Sequence, residues 1–222
     1  MTKTLILIPS QFEFEHLFGS KKELQNLESS GIHARICGIG PAASAFMTGQ
    51  YINQIHPDHV LLCGIAGAFR EGKVQPGDVV AVSSEIFADL GFSENSFPVS
   101  FDQINVPLLT APDGSQLSCT YSLPTIPDFQ TVNSITVSTV TSDDNMSKYL
   151  YGTHQVEIEN MEGAAVALAC RYCGVPMSEI RSISNFVGPR NKDAWEMELA
   201  LDSLKSSLTS YLNQVLLERR YS

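Results

Sequence analysis

The chain has 222 residues, 43% of them apolar, with 14 basic and 24 acidic side chains for a net charge of −10. A chain this long can bury about 70% of its unfolded surface in a single core, and its apolar content excludes disorder as the main state. The acidic balance excludes a general nucleic-acid binder, which needs a basic face for phosphates. No apolar run approaches the roughly 20 residues of a membrane-spanning helix. The opening MTKTLILIPS lacks the cleavage site of a secretory signal, so a cytoplasmic protein without membrane partners is expected. The five cysteines are Cys37, Cys63, Cys119, Cys170 and Cys173. An odd count over a core-forming chain argues against a disulfide scaffold. Cys170-x-x-Cys173 lies in a helical pattern without the further ligands that zinc needs.

Thr4 to Ile8 is predicted as a buried strand stopped by Pro9. A helix is predicted from Phe12 to Leu27 on the spacing of Phe14, Leu17, Phe18, Leu24 and Leu27. After the break at Ser30-Gly31, Ile32 to Ile39 is a second strand and Pro41 to Ile55 a helix rich in small residues. His59 to Cys63 is a short strand running into the turn Gly64-Ile65-Ala66-Gly67. Pro76-Gly77-Asp78 turns into Val79 to Val82, with which Glu85 to Ala88 is expected to pair. Residues 93 to 131, with Pro98, Pro107, Pro112, Pro124 and Pro127, read as a long irregular excursion. Then follow a strand at Ser134 to Thr141, a short helix at Asn145 to Gly152 and a strand at Val156 to Ile158. A helix at Met161 to Cys173, a strand at Ile180 to Phe186 and a long terminal helix from Asp193 to Arg219 complete the chain. No linker or repeat divides it, so one domain over residues 1–222 is expected. Alternating strands and helices predict an α/β domain with a mostly parallel, partly mixed central sheet.

Ligands bind such sheets beyond the carboxyl ends of their strands. That rule selects Pro9 to Phe14, Gly38 to Pro41, Gly64 to Phe69, Asn160 to Glu162 and Ser184 to Arg190. Gly38-Ile39-Gly40 can cradle an anion or a sugar, but it is a poor dinucleotide fingerprint because no acidic residue follows the next strand. Glu13 and Glu15 either act as a general base or form a solvated first helical turn. Glu157, Glu159 and Glu162 flank a helix start. There Glu162, followed by Gly163-Ala164-Ala165, either has room beside it to accept from two ribose hydroxyls or simply reflects the preference for negative charge at a helix start. Ser184-Asn185 ends a strand that otherwise reads as core, where the Asn either forms a turn or, with an amide that both donates and accepts, reads a purine edge.

In order and spacing, these segments resemble the nucleoside phosphorylase and nucleosidase family. Leu61 to Ala68 (LLCGIAGA) is similar to its strand and glycine turn, and Pro76 to Val80 to its GDVV segment. Val156 to Ala165 (VEIENMEGAA) is similar to its ribose motif, and Arg181 to Asn185 to its base-recognition strand, with Asn in place of Asp. Pro9 to Glu13, Phe87 to Gly91 (FADLG) and Ser184 to Trp195 (SNFVGPRNKDAW) more closely resemble the futalosine hydrolases within that family.

The resemblance implies a three-layer α/β/α fold and cleavage of a purine N-glycosidic bond, here of futalosine to hypoxanthine in menaquinone synthesis. It implies a homo-oligomer and no metal or organic cofactor. Glu162 would bind the ribose hydroxyls beneath an oxocarbenium-like transition state, with Met161 packed on the sugar. Glu13 would activate water, with Glu15 as the alternative. Ile65, Ala66, Gly67 and Asn160 would line the sugar and base. Asn185 would carry the leaving group, since its amide can donate to O6 of a 6-oxopurine. Leu62 stands where phosphate-using relatives carry Arg, which favours water as nucleophile. Arg190 is the candidate partner for a carboxylate on the 5′ side, or else orders its loop. The base-stacking Phe of adenine-specific relatives has no clear counterpart, which leaves base stacking unassigned with the Phe12 and Phe186 rings as candidates. Methylthioadenosine/adenosylhomocysteine or aminodeoxyfutalosine nucleosidase, a purine nucleoside phosphorylase and a catalytically silent nucleoside-binding protein remain as alternatives.

Overall fold

The computed structural model describes residues 2–189 and 195–221. In chain order the elements are β1 (Thr4–Ile8), α1 (Gln11–Leu17), α2 (Lys21–Ser29), β2 (Ile32–Ile36), α3 (Pro41–Ile55), β3 (His59–Ala68) and β4 (Val79–Phe87). Then come β5 (Gly91–Glu94), β6 (Phe97–Ser100), β7 (Leu109–Thr110), β8 (Gln116–Leu117), β9 (Thr120–Ser122) and β10 (Gln130–Thr136). The last elements are α4 (Asp144–His154), β11 (Ile158–Asn160), α5 (Gly163–Cys173), β12 (Met177–Phe186) and α6 (Met197–Tyr221).

The main sheet runs β2-β1-β3-β12-β4-β10-β11, with β9 added beside β4. The pairs β2-β1, β1-β3, β3-β12, β4-β10 and β10-β11 are parallel, whereas β12-β4 and β4-β9 are antiparallel. β3 is long enough to change neighbours. Its first half pairs with β1, and its end, at Gly67 and Ala68, takes β11 antiparallel. The strands β3, β12, β4, β10 and β11 therefore close on themselves, and the carboxyl end of β3 meets β11 at the ring's rim.

Residues along the strands alternate between two helical layers, as a pleated strand dictates. Leu5, Leu7, Val60 and Leu62 pack with Ile52 of α3 and Ala164 to Ala167 of α5. Ile6, Ile8, Leu61 and Cys63 pack with Leu17 of α1 and with Leu204, Leu208 and Leu212 of α6. The result is an α/β/α arrangement, and no described helix is long and apolar enough to cross a membrane.

Several boundaries differ from the expectation. The helix foreseen from Phe12 to Leu27 is two helices. Ser20 accepts from the Glu23 amide and starts α2 afresh, as a serine cap does. Val79 to Phe87 is one strand rather than a pair, because β10 supports it along its length through a bulge at Val132/Asn133. The excursion is not irregular throughout. It holds the hairpins β5-β6 and β7-β8 and the strand β9, and Phe97 stacks on Tyr149 of α4 with ring centroids 4.3 Å apart. The strand foreseen to Thr141 ends at Thr136, which frees the next residues to form a loop.

Candidate active site

At the rim lies a cavity of about 340 Å³ lined by residues from five of the segments expected at strand ends. It takes Ser10 and Glu13 after β1, Ile39 before α3, Ile65 to Gly67 in β3, Asn160 to Glu162 after β11, and Ser184 and Asn185 in β12. A larger hollow of about 550 Å³ beside β8, β9 and the end of α5 has no acidic residue in its lining. The buried carboxyls Glu13, Glu159 and Glu162 all line the smaller cavity.

Glu13 is held by its own helix cap. Ser10 accepts from the Glu13 amide at 3.2 Å and donates to Glu13 Oε2 at 2.5 Å. The Ile65 amide donates to Glu13 Oε1 at 3.0 Å. Burial pushes the Glu13 carboxyl above the usual carboxylate range, while the bonds from Ser10 and Ile65 and the charge of Arg181 pull the other way. Glu15 instead faces water and accepts from Gln11.

Glu162 stands at the start of α5 and is 4% exposed. The Gly40 amide donates to its Oε1 at 3.1 Å, and Arg181 Nη1 lies 3.3 Å from its Oε2. The Gly38-Ile39-Gly40 turn thus holds the protein's own carboxylate. The first amides of α5 find acceptors in Asn160 Oδ1, which takes Glu162 and Gly163 at 2.8 and 2.7 Å, and in Thr136, which takes Ala164 at 2.8 Å. Asn160 Nδ2 donates to Glu85 and Ser134. Asn160 therefore reaches the cavity wall, but its amide is engaged inside the protein, building the helix start.

In β12 a bulge at Ser184 shifts the register with β3 between Ile183 and Asn185. On a regular strand neighbouring side chains face opposite sides. The extra residue turns both Ser184 and Asn185 to the cavity, a common use of bulges near sites. Ser184 donates to Asn185 Oδ1 at 2.8 Å, which fixes the amide, and Asn185 Nδ2 donates to the Phe186 carbonyl at 2.9 Å. Among the described residues the second N–H of Nδ2 has no acceptor and can serve a ligand. Of the two candidate stacking rings, Phe12 lines the cavity and Phe186 instead lies under the Arg70 guanidinium, 4.7 Å from it. Val140, on the loop after β10, forms part of the same wall. That loop is pinned by Asp89, which accepts from the Ser138 amide, and by Glu159, which accepts from the Thr141 amide and hydroxyl. Burial pushes Glu159 up to about 7. Leu62 is buried in the core. Arg190 lies outside the described residues.

Behind the cavity wall is a charged network to which the sequence reading gave no role. Arg181, fully buried, donates through Nε to Glu179 at 2.7 Å and through Nη2 to Asn160 at 3.1 Å. Glu85 and Glu179 are also fully buried. A side chain on Gly163 would collide with the Glu85 carboxyl, and one on Gly64 would sit 2.7 Å from Arg181 Nη1 and 3.0 Å from Glu13. The one local sign in the sequence is that Glu179 and Arg181, two residues apart, fall on one face of the strand.

Glu85 is pushed up to about 8, mainly by burial and then by Glu179. Its unfolded value is about 4.5. Between those two pH values the folded protein keeps a proton that the unfolded chain has lost, so stability contributed by Glu85 falls as pH rises. The melting temperature is expected to drop between about pH 5 and pH 8, and Glu85→Gln to flatten that drop. An identical slope in wild type and variant would contradict this.

Comparison with known proteins agrees with the fold. A phosphorylase superfamily sequence model matches residues 25–216, and the chain belongs to that superfamily. It is 29% identical to the futalosine hydrolase of Thermus thermophilus over 94% of each chain. It is 30% identical to that of Acidothermus cellulolyticus over 79% of this chain and 72% of the relative. In fold it resembles the crystal structure of the 5′-methylthioadenosine/S-adenosylhomocysteine nucleosidase of Helicobacter pylori with butyl-thio-DADMe-Immucillin-A. The TM-score is 0.73 at 17% identity, covering 96% of this chain and 99% of that one.

Proposed function

We propose that the protein hydrolyses the N-glycosidic bond of futalosine and releases hypoxanthine. The observation that carries the reading is that Glu13 and Glu162, both buried, face one cavity together with an amide donor on Asn185. The curated relatives at 29% and 30% identity, named futalosine hydrolases, support it.

In this reading Glu162 accepts from the ribose hydroxyls and places negative charge near the sugar. The C1′–N9 bond breaks, its electron pair leaves with the purine, and C1′ develops positive charge. Water attacks C1′ and gives its proton to Glu13, whose raised affinity for protons suits a base working near neutral pH. Asn185 has no proton to give up. It donates a hydrogen bond to the 6-oxopurine as negative charge builds there, and the base takes its proton from water. Among the described residues lining the cavity there is no Lys or Arg to hold a phosphate dianion, which supports water over phosphate as nucleophile. The same reading makes the enzyme a cytoplasmic homo-oligomer acting in menaquinone synthesis, with Arg190 binding the carboxylate on the 5′ side.

Incubation with futalosine, inosine and methylthioadenosine, each with and without phosphate, tests the reading. Phosphate-independent release of hypoxanthine from futalosine is the expected result. Adenine release, or a phosphate requirement, would overturn it. Asn185→Asp is expected to lower kcat/KM for futalosine by about 5- to 150-fold, the cost of one buried acceptor left without its donor. Unchanged futalosine turnover in that variant would remove Asn185 from base recognition.

A further inference from the structure

The buried pair Glu85 and Glu179 lies behind the cavity, and the proposed reaction makes no use of either residue. Glu179 Oε1 accepts from Arg181 Nε, but its Oε2 is buried with no N–H or O–H donor aimed at it among the described residues. The Glu85 carboxyl crowds the same point: a Cβ on Gly163 would collide with it and lie 2.8 Å from Glu179 Oε2, so the two carboxyls meet over the bare Cα of Gly163. Glu85 in turn accepts from Asn160 and Thr136. Two buried carboxyls in contact, with one oxygen lacking a donor, are satisfied by a single proton between them. The pair then carries one negative charge, next to one guanidinium.

We propose that Glu85 and Glu179 are positioning residues that together compensate the charge of Arg181, so that Glu162, which shares the same guanidinium, keeps its full negative charge for the ribosyl cation. The distances fit this division, since Arg181 is 2.7 Å from Glu179 and 3.3 Å from Glu162. Without the pair, Arg181 would neutralise Glu162 and the sugar would face a net-neutral wall. The inference rests on the nucleoside-cleaving reading above.

The two carboxyls need only one charge between them, so the test is non-additivity. Glu85→Gln and Glu179→Gln each leave one ionised carboxyl, and each is expected to keep kcat within about fivefold of wild type. The double variant removes the charge and is expected to lose about 50-fold or more in kcat with little change in KM, as the loss of a transition-state interaction requires. It should also bind a protonated pyrrolidine nucleoside analogue more weakly while binding a neutral analogue as before, a split that a merely structural defect would not produce. A double variant as active as wild type, or one single variant as impaired as the double, would overturn the proposal. Should the double variant not fold, infrared spectra of the wild type decide. A protonated-carboxyl band lost in both single variants is expected, and its persistence in either one overturns the shared proton. A wild type that cleaves no nucleoside would sink the proposed reaction itself.

Discussion

Glu13→Gln is expected to lower kcat by about 100- to 10,000-fold, the usual worth of a positioned general base, with KM changed little. Glutamine keeps the size of the side chain and can still accept from the Ile65 amide, so the loss isolates proton transfer. The wild-type pH profile is the companion measurement. Burial raises the Glu13 carboxyl above its ordinary value, so the acid limb of kcat/KM should lie above the usual carboxylate range, with activity lost as pH falls through it. Ser10 favours the ionised form. Ser10→Ala should therefore move the limb to higher pH, and should cost about 1 kcal/mol of stability through the lost cap of α1. A Glu13→Gln enzyme within tenfold of wild type would assign the base to another group. Glu15, exposed and turned from the cavity, would then return as a candidate only with a rearranged α1.

Glu162→Gln is expected to cost about 100- to 1,000-fold in kcat/KM, the scale found when one preorganised partner of a developing charge is removed. The amide retains an oxygen for the Gly40 N–H, so the helix start survives and the change falls on charge and on ribose binding. Both kcat and KM should respond. In the proposed reaction the carboxylate binds the hydroxyls in the ground state and attracts the cation only in the transition state. A 2′-deoxy substrate supplies the control. It should already be slow with wild type and lose less on Glu162→Gln, because the hydrogen bond is missing beforehand. Equal losses on both sugars would mean that Glu162 acts by charge alone. Arg181→Met tests the other side of the same ion pair. Leaving Glu179 without its cation in a fully buried site should destabilise the protein by about 3–5 kcal/mol.

Much of this site could be read from the chain because its residues sit at strand ends beside glycines or prolines. Glu13 follows Pro9, Glu162 precedes Gly163, Asn185 lies near the end of β12, and Ile65 to Gly67, which the glycines mark as a turn, are the last part of β3. These are local signals, and the order of the segments carried the resemblance. Glu85 and Arg181 behaved differently. Each lies in a run that reads as ordinary strand, and their relation to Glu162 spans 77 residues in one case and a helix in the other. Only the closing of β3 onto β11, with β4 and β12 between, brings the three together. The choice between Glu13 and Glu15 was likewise open from sequence, since both occupy the first helical turns. α1 packs against α6, and that contact decides which face is buried.

The sequence by itself determined the α/β class, the strand ends that meet and the residue types that face the cavity, because periodicity and turn chemistry are local properties. Tertiary structure alone decided three things. It showed which of two neighbouring glutamates is buried, that the Asn160 amide builds a helix start instead of facing the cavity, and that two carboxyls and a guanidinium stand behind the ribose-binding candidate. Burial and charge balance depend on neighbours distant in the chain, and a side chain's proton affinity depends on them both.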